Sequence, residues 1–184
     1  KFGMWDDDLI LHSTTFQEDT GVRTTGKASK QEVKLHLKSI VKLLDTHAHG
    51  GIHRRMFINA IRKPKDYPSA FNKSYYNQAM FFNKELFRKE PTFKGDTAED
   101  IQFFLKLCQQ GLDWFVYTGI TYVEHEPPGE PERWTREKKR LDYEKLCDTL
   151  PPSQILKTRA GRTINFKRVL ADAKNKDIRG NLFR

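Results

Sequence analysis

The chain has 184 residues, of which 37% are hydrophobic and 12% aromatic, and this composition excludes an intrinsically disordered protein. Lys and Arg number 33 against 24 Asp and Glu, so the net charge is +9, which favours a polyanionic partner such as nucleic acid. No apolar run approaches the roughly 18 residues of a membrane-spanning helix, and we expect no transmembrane segment.

The N-terminal quarter is predicted to contain one irregular segment and one helix. Residues 1–29 show no sustained periodicity, and we expect them to be irregular. Ser29 and Glu32 form the Ser-x-x-Glu pattern of a capping box, which predicts that a helix begins there. Apolar residues then recur at spacings of three and four as far as Ala48, and the following glycine pair is the expected stop.

Three more helices and a short β element are predicted in the central part. The helices are expected over 52–63, where a proline ends the pattern, over 69–87, and from about residue 96 to the glycine at 111. Residues 114–123 are rich in aromatic and β-branched side chains, which predicts one or two short strands.

The C-terminal third is predicted to be helical at first and then extended. A charged helix is expected over 134–150, and a proline pair ends it. Residues 151–184 are basic and predict a C-terminal extension with one short helix over 164–173. The whole sequence therefore predicts a mainly α fold with a minor β element, in which residues 30–150 form a small helical domain.

Two cysteines, Cys108 and Cys147, are far apart in the sequence. Both fall on predicted apolar helix faces. We therefore expect two buried thiols rather than a disulfide.

Three of the six histidines lie within seven residues, at His47, His49 and His53. The segment Asp45-Thr46-His47-Ala48-His49 resembles the Asp-x-His-x-His segment of the amidohydrolase-like metal hydrolases. The resemblance implies that His47 and His49 bind a metal ion at the end of a strand. The helical periodicity favours another interpretation, in which both lie in the last turn of a helix and bond its free carbonyl groups. Residues two apart on a helix point about 200° from each other and cannot share an ion, so we expect neither a metal nor another cofactor.

Basic residues are grouped after the histidine cluster, in the charged helix and along the C-terminal segment. Such groups can follow a phosphate backbone, where each neutralised phosphate releases counterions, and Arg suits bidentate phosphate contacts. The predicted nucleic-acid-binding residues are Arg54, Arg55, Arg62, Lys63, Lys65, Arg136, Lys139, Arg140, Lys157, Arg159, Arg162, Lys167 and Arg168.

These features predict a non-enzymatic, structural RNA-binding protein of a large ribonucleoprotein, most concretely a ribosomal or organellar ribosomal component. Its partners would be RNA and neighbouring proteins, and a mitochondrial matrix location would be compatible with them. An alternative is a metal-dependent nuclease or hydrolase that uses the histidine cluster, or Glu124 and Glu126. A third possibility is a viral nucleocapsid or matrix-like protein.

Overall fold

A computed structural model describes residues 1–5, 9–16, 23–54, 70–71, 79–89, 99–124, 136–159 and 161–182. The chain divides into two compact units. Unit 1 contains Lys1–Phe87 and Asp113–Glu126, and unit 2 contains Arg88–Leu112 and Pro127–Arg184. Unit 1 is built on one large sheet, whereas the described part of unit 2 combines helices with a two-stranded hairpin.

Unit 1 places a helix against a mixed sheet. Six strands lie in the order β1-β6-β4-β7-β2-β3, and β5 adds a seventh by pairing with β7. Only β4 and β7 pair in parallel among these strands, and every other described pair is antiparallel. The elements are β1 Phe2–Trp5, β2 Leu9–Phe16, β3 Arg23–Lys27, α1 Lys30–Leu43, β4 His49–Arg54, β5 Ala70–Phe71, β6 Ala79–Phe82, a short 3₁₀ helix Lys84–Leu86, and β7 Trp114–Glu124.

Strand β7 is the centre of the sheet. It pairs with β4 from Trp114, opposite His49, to Tyr122, opposite Arg54, and its second half also pairs with β2, ending at Leu9 opposite Glu124. The register against β4 shifts after Ile52, because Thr118–Ile120 have no partners on that strand. Aromatic and β-branched side chains suit such a position, since a central strand is buried on both faces.

Helix α1 covers one face of the sheet. Ser29 Oγ accepts from the Glu32 backbone N–H, and the Glu32 carboxylate accepts from the Ser29 N–H at 2.7 Å, so the predicted capping box is confirmed. The apolar stripe of α1 packs on side chains from four strands. The buried core comprises Ile40, Leu44, Ile52, Ala79, Phe81, Phe115, Tyr117, Ile120 and Tyr122.

Unit 2 contains three helices and a hairpin in its described part. They are α2 Glu99–Gln109, α3 Arg136–Asp148, a short 3₁₀ helix Pro152–Gln154, β8 Ile155–Thr158, β9 Gly161–Ile164 and α4 Phe166–Leu182. Helices α2 and α4 pack together, with the Phe104 and Phe166 rings edge to face at 4.8 Å. Cys108 and Cys147 are buried free thiols, as the sequence predicts.

The mainly α fold class is wrong, because unit 1 is an α/β structure with a mixed sheet. Strands β1, β2 and β3 lie where the sequence predicts an irregular segment over 1–29. Residues 52–54 end strand β4 instead of beginning a helix, and residues 55–63 lie outside the described residues. In the helix predicted over 69–87, the described residues form β5, β6 and the first 3₁₀ helix. Short apolar runs do not distinguish a buried strand from a helix, and here pairing with distant strands decides the outcome.

Other predicted elements are confirmed. Helix α2 coincides with the described part of the helix predicted from residue 96, and β7 is one long strand over the predicted β region. Helix α3 lies within the predicted 134–150 helix. The helix predicted over 164–173 is part of the longer α4, and β8 and β9 precede it.

Candidate nucleic-acid interface and histidine face

The positive charge of the chain is concentrated at its C-terminal end. Residues 136–184 hold 14 of the 33 Lys and Arg but only 6 of the 24 Asp and Glu. The rest of the chain is nearly neutral, with 19 basic and 18 acidic residues. The C-terminal part of unit 2 therefore accounts for eight of the nine net positive charges.

The exposed cations of this region include one on each of several elements. Arg140 lies on α3, Lys157 on β8, Arg159 directly after β8, and Lys167 in the first turn of α4; all four side chains are exposed. Within the part of the chain that the structure describes, none of the four bonds a carboxylate. We call these four residues the basic surface. Lys139 is also exposed, on α3 beside Arg140.

Arg162 has a different environment. Its Nε lies 2.6 Å from the Glu144 carboxylate, and its Nη1 lies 2.5 Å from the Asp148 carboxylate. The hydrogen bonds that Arg162 donates to Asp148 and Glu144 raise the pKa of Arg162, and its hydrogen bond to Asp148 lowers the pKa of that carboxyl group. Arg162 therefore joins β9 to α3, and its charge is offset inside unit 2.

Arg168 is also engaged within unit 2. Its Nε lies 2.9 Å from the Asp172 carboxylate, one turn further along α4. The same carboxylate accepts a hydrogen bond from Gln154 Nε2 at 2.9 Å. Asp172 thereby links α4 to the short 3₁₀ helix before β8.

The remaining predicted nucleic-acid-binding residues have no described side chain. Arg54 ends β4 and Arg136 begins α3, but the structure describes only their backbones. Arg55, Arg62, Lys63 and Lys65 lie outside the described residues, so their predicted role stays a prediction.

The structure separates the predicted histidine cluster. Helix α1 ends at Leu43, so neither His47 nor His49 is helical. His47 Nδ1 lies 3.1 Å from the Leu43 carbonyl oxygen, which accepts its hydrogen bond, as expected for an imidazole at a helix end. The His47 ring meets Phe115 edge to face at 5.5 Å.

His49 lies on the other face of the sheet. It is 0% exposed, and its ring stacks on Trp114 with the centroids 6.3 Å apart. Because Trp114 and Phe115 are successive residues of β7, they point to opposite faces. His47, which contacts Phe115, and His49, which contacts Trp114, therefore cannot share a metal ion.

Two further histidines share the face of His49. His53 is buried, and burial lowers its pKa. Thr121 of β7 is the register partner of His53 on β4 and of His12 on β2, so these three residues form one row across the sheet. We call His12, His49 and His53 the histidine face. Sequence reasoning missed His12, although its place after the alternating Leu9 and Leu11 is the signal for the opposite face.

The described residues contain no group of three or more His, Cys, Asp or Glu side chains that could hold a metal ion. Asp45, in the segment that resembles the metal hydrolases, makes an ion pair with Lys1. Glu124 ends β7, but its side chain is not among the described ones, and Glu126 lies outside the described residues. The alternative that uses Glu124 and Glu126 therefore stays a prediction.

No protein-family model matches this chain, and no curated protein and no solved structure is significantly similar to it. Among the described helices, none is both long enough and apolar enough to span a bilayer. Charge and geometry are therefore the basis for any functional proposal.

Proposed function

We propose that this protein binds RNA through its basic surface, as a structural component of a larger ribonucleoprotein. The observation that carries the proposal is the concentration of eight of nine net positive charges in residues 136–184. A polyanion would neutralise this charge, and phosphate contacts by Lys and Arg gain affinity from counterion release.

The ion pairs of unit 2 support this proposal because they occupy most of the carboxylates of residues 136–184. Glu144 and Asp148 bind Arg162, and Asp172 binds Arg168. Asp142 accepts from Lys145 at 3.3 Å. Four of the six acidic residues in 136–184 are thus bound within unit 2, and Arg140, Lys157, Arg159 and Lys167 have no described counter-charge.

Neutralising these cations tests the proposal directly. The double variant Lys157→Gln/Arg159→Gln should bind a fluorescent single-stranded RNA more weakly than the unaltered chain at low salt. Each phosphate contact that is lost should reduce the slope of log K against log salt by about 0.7, so the double variant should lose about 1.4. The slope would be measured by fluorescence anisotropy between about 50 and 200 mM salt.

The matched control removes two cations from unit 1. Lys34 and Lys38 are exposed on α1, and Lys34→Gln/Lys38→Gln lowers the net charge by the same amount. We expect this variant to bind RNA as the unaltered chain does. Equal weakening by both double variants, or binding that does not respond to salt, would contradict a localised RNA interface.

Competition experiments test the choice of RNA over DNA. Single-stranded RNA should displace the labelled RNA at lower concentration than single-stranded DNA of the same sequence and length, because only RNA offers the 2′-hydroxyl. Equal competition by DNA would overturn the RNA assignment.

The assembly part of the proposal predicts that the tagged chain cosediments with large particles and leaves that fraction after ribonuclease treatment.

A further inference from the structure

A cavity of about 170 Å³ lies within unit 1, between α1 and the sheet. Its floor includes Ile52, Ala79 and Ile120, which are all buried. Val33, His36 and Leu37 line it from α1 and are only partly buried, so the cavity opens towards solvent along the helix.

His36 is the one polar side chain among the residues that line this cavity. Its Nδ1 lies 2.9 Å from the Tyr117 hydroxyl, and the two rings meet edge to face. Within the described residues no hydrogen bond reaches its other ring nitrogen, Nε2. Burial lowers the pKa of His36, with a smaller opposing effect from Glu32, and so favours the neutral imidazole.

The neutral ring has two tautomers, which determine whether a ligand must accept or donate a hydrogen bond at Nε2. If Tyr117 donates to Nδ1, Nε2 carries the proton and is a donor; if Nδ1 donates to Tyr117, Nε2 is an acceptor. A hydroxyl group can both donate and accept, so it pairs with either tautomer. An ether or an ammonium group pairs with only one of them.

Gly119 fits closely against the same polar pair. A Cβ atom on Gly119 would lie 2.7 Å from the Tyr117 hydroxyl and 2.9 Å from the His36 ring. The absence of a side chain at this position in β7 therefore leaves the space in which His36 and Tyr117 meet. A residue with a side chain at position 119 would displace the His36 ring or the Tyr117 hydroxyl.

The size of the cavity fits a small ring or a short chain. Protein interiors contain few voids larger than a water molecule, and an engineered apolar cavity of about 150 Å³ binds benzene. We propose that this cavity binds a small apolar alcohol or phenol, with its hydroxyl on His36 Nε2 and its hydrocarbon part against Ile52, Ala79 and Ile120. This proposal is independent of RNA binding.

Titration of the full chain with phenol and with toluene, followed by NMR of the isoleucine methyl groups, tests the proposal. Phenol should shift the Ile52 and Ile120 signals saturably, and toluene should bind about threefold to tenfold more weakly because it lacks the hydrogen bond. His36→Leu should remove the preference for phenol. Toluene binding as tight as phenol binding would overturn the assignment of the hydroxyl to His36.

Two filling variants test the location. Ala79→Leu should abolish phenol binding by occupying the floor, and Leu37→Trp should do so from the partly buried side if Ala79→Leu does not fold. Val41→Leu, at an exposed position of the same helix, is the matched control and should bind phenol normally. Phenol binding that persists in a folded filling variant, or no saturable shift at millimolar phenol, would overturn the proposal.

Discussion

Asn83 donates a hydrogen bond from Nδ2 to the carbonyl oxygen of Leu44 at 2.9 Å. Its backbone N–H donates to the carbonyl of Ala48, also at 2.9 Å. Asn83 is only 4% exposed, so one buried residue after β6 binds two carbonyls between α1 and β4. The end of α1 therefore depends on a residue 39 positions away in the sequence.

Removing the Asn83 amide should destabilise unit 1. Asn83→Ala leaves the buried Leu44 carbonyl without this donor, which should lower the free energy of unfolding by about 1–3 kcal/mol. Urea denaturation followed by circular dichroism would measure the change. Asn175→Ala, at an exposed position of α4, is the control and should leave the midpoint unchanged. An Asn83→Ala midpoint equal to that of the control would contradict the assigned role.

Gly50 should tolerate no side chain. A Cβ there would lie 2.4 Å from the Phe115 ring, which is 0% exposed. We expect Gly50→Ala to destabilise unit 1 by about 1–3 kcal/mol through overpacking. Gly26→Ala on β3 is the matched control, because a Cβ there meets nothing within 4 Å. Similar urea midpoints for the two alanine variants would show that a Cβ atom at residue 50 does not overpack the Phe115 ring.

Arg162→Gln should loosen the β8–β9 hairpin from α3. The variant loses the ionic contacts with Glu144 and Asp148, and Cys147, which lies between them in sequence, is only 1% exposed. We therefore expect the Cys147 thiol to react faster with a thiol reagent, as followed by absorbance in a Cys108→Ala background. Lys157→Gln, the register partner of Arg162, serves as the control and should keep the original rate. If the two variants react equally fast, the ion pairs do not hold the hairpin.

Stability should fall as the pH falls below about 6.5. Burial lowers the pKa of both His36 and His53 below 6.5, so the unfolded chain binds protons in this range that the folded chain does not. Their stabilising effect is fully present above 6.5 and is lost on acidification through the lowered values. Glu32, whose pKa is lowered from 4.5 by its hydrogen bonds to Ser29, contributes only at more acidic pH.

The double variant His36→Gln/His53→Gln isolates the histidine contribution. Urea unfolding at about pH 7.5 and about pH 5.5 should give a smaller difference in unfolding free energy for this variant than for the unaltered chain. The same pH difference in both proteins would mean that other groups control stability in this range.

Local signals in the sequence predicted the elements that depend on local interactions. The capping box needs only Ser29 and Glu32, and the apolar stripe of α2 lies within its own eleven residues. Ala79–Phe82 is different, because all four residues are buried and no alternation marks them as a strand. This segment forms strand β6 because it pairs with β1 and β4, and the local sequence does not encode that pairing.

The candidate sites, like the secondary-structure elements, were predictable only where they depend on local sequence. The basic character of residues 136–184 is evident from composition, but the engagement of Arg162 depends on Glu144, which lies 18 residues earlier. The spacing of His47 and His49 suggested either a shared metal ion or a common helix turn. The common turn is wrong, because α1 ends at Leu43 and the chain then enters β4, and the two rings lie apart, with His47 against Phe115 and His49 against Trp114.

The central position of β7 has a consequence for synthesis of the chain. Leu9 pairs with Glu124, more than a hundred positions later, and His49 pairs with Trp114, 65 positions later, so β2 and β4 acquire their common neighbour late in synthesis. Such long-range pairing slows folding, and the unpaired strand edges of a nascent chain promote aggregation. Unit 1 therefore completes its sheet late, once β7 has emerged from the ribosome, and interruption of translation before Trp114 leaves β2 and β4 without the strand that joins them.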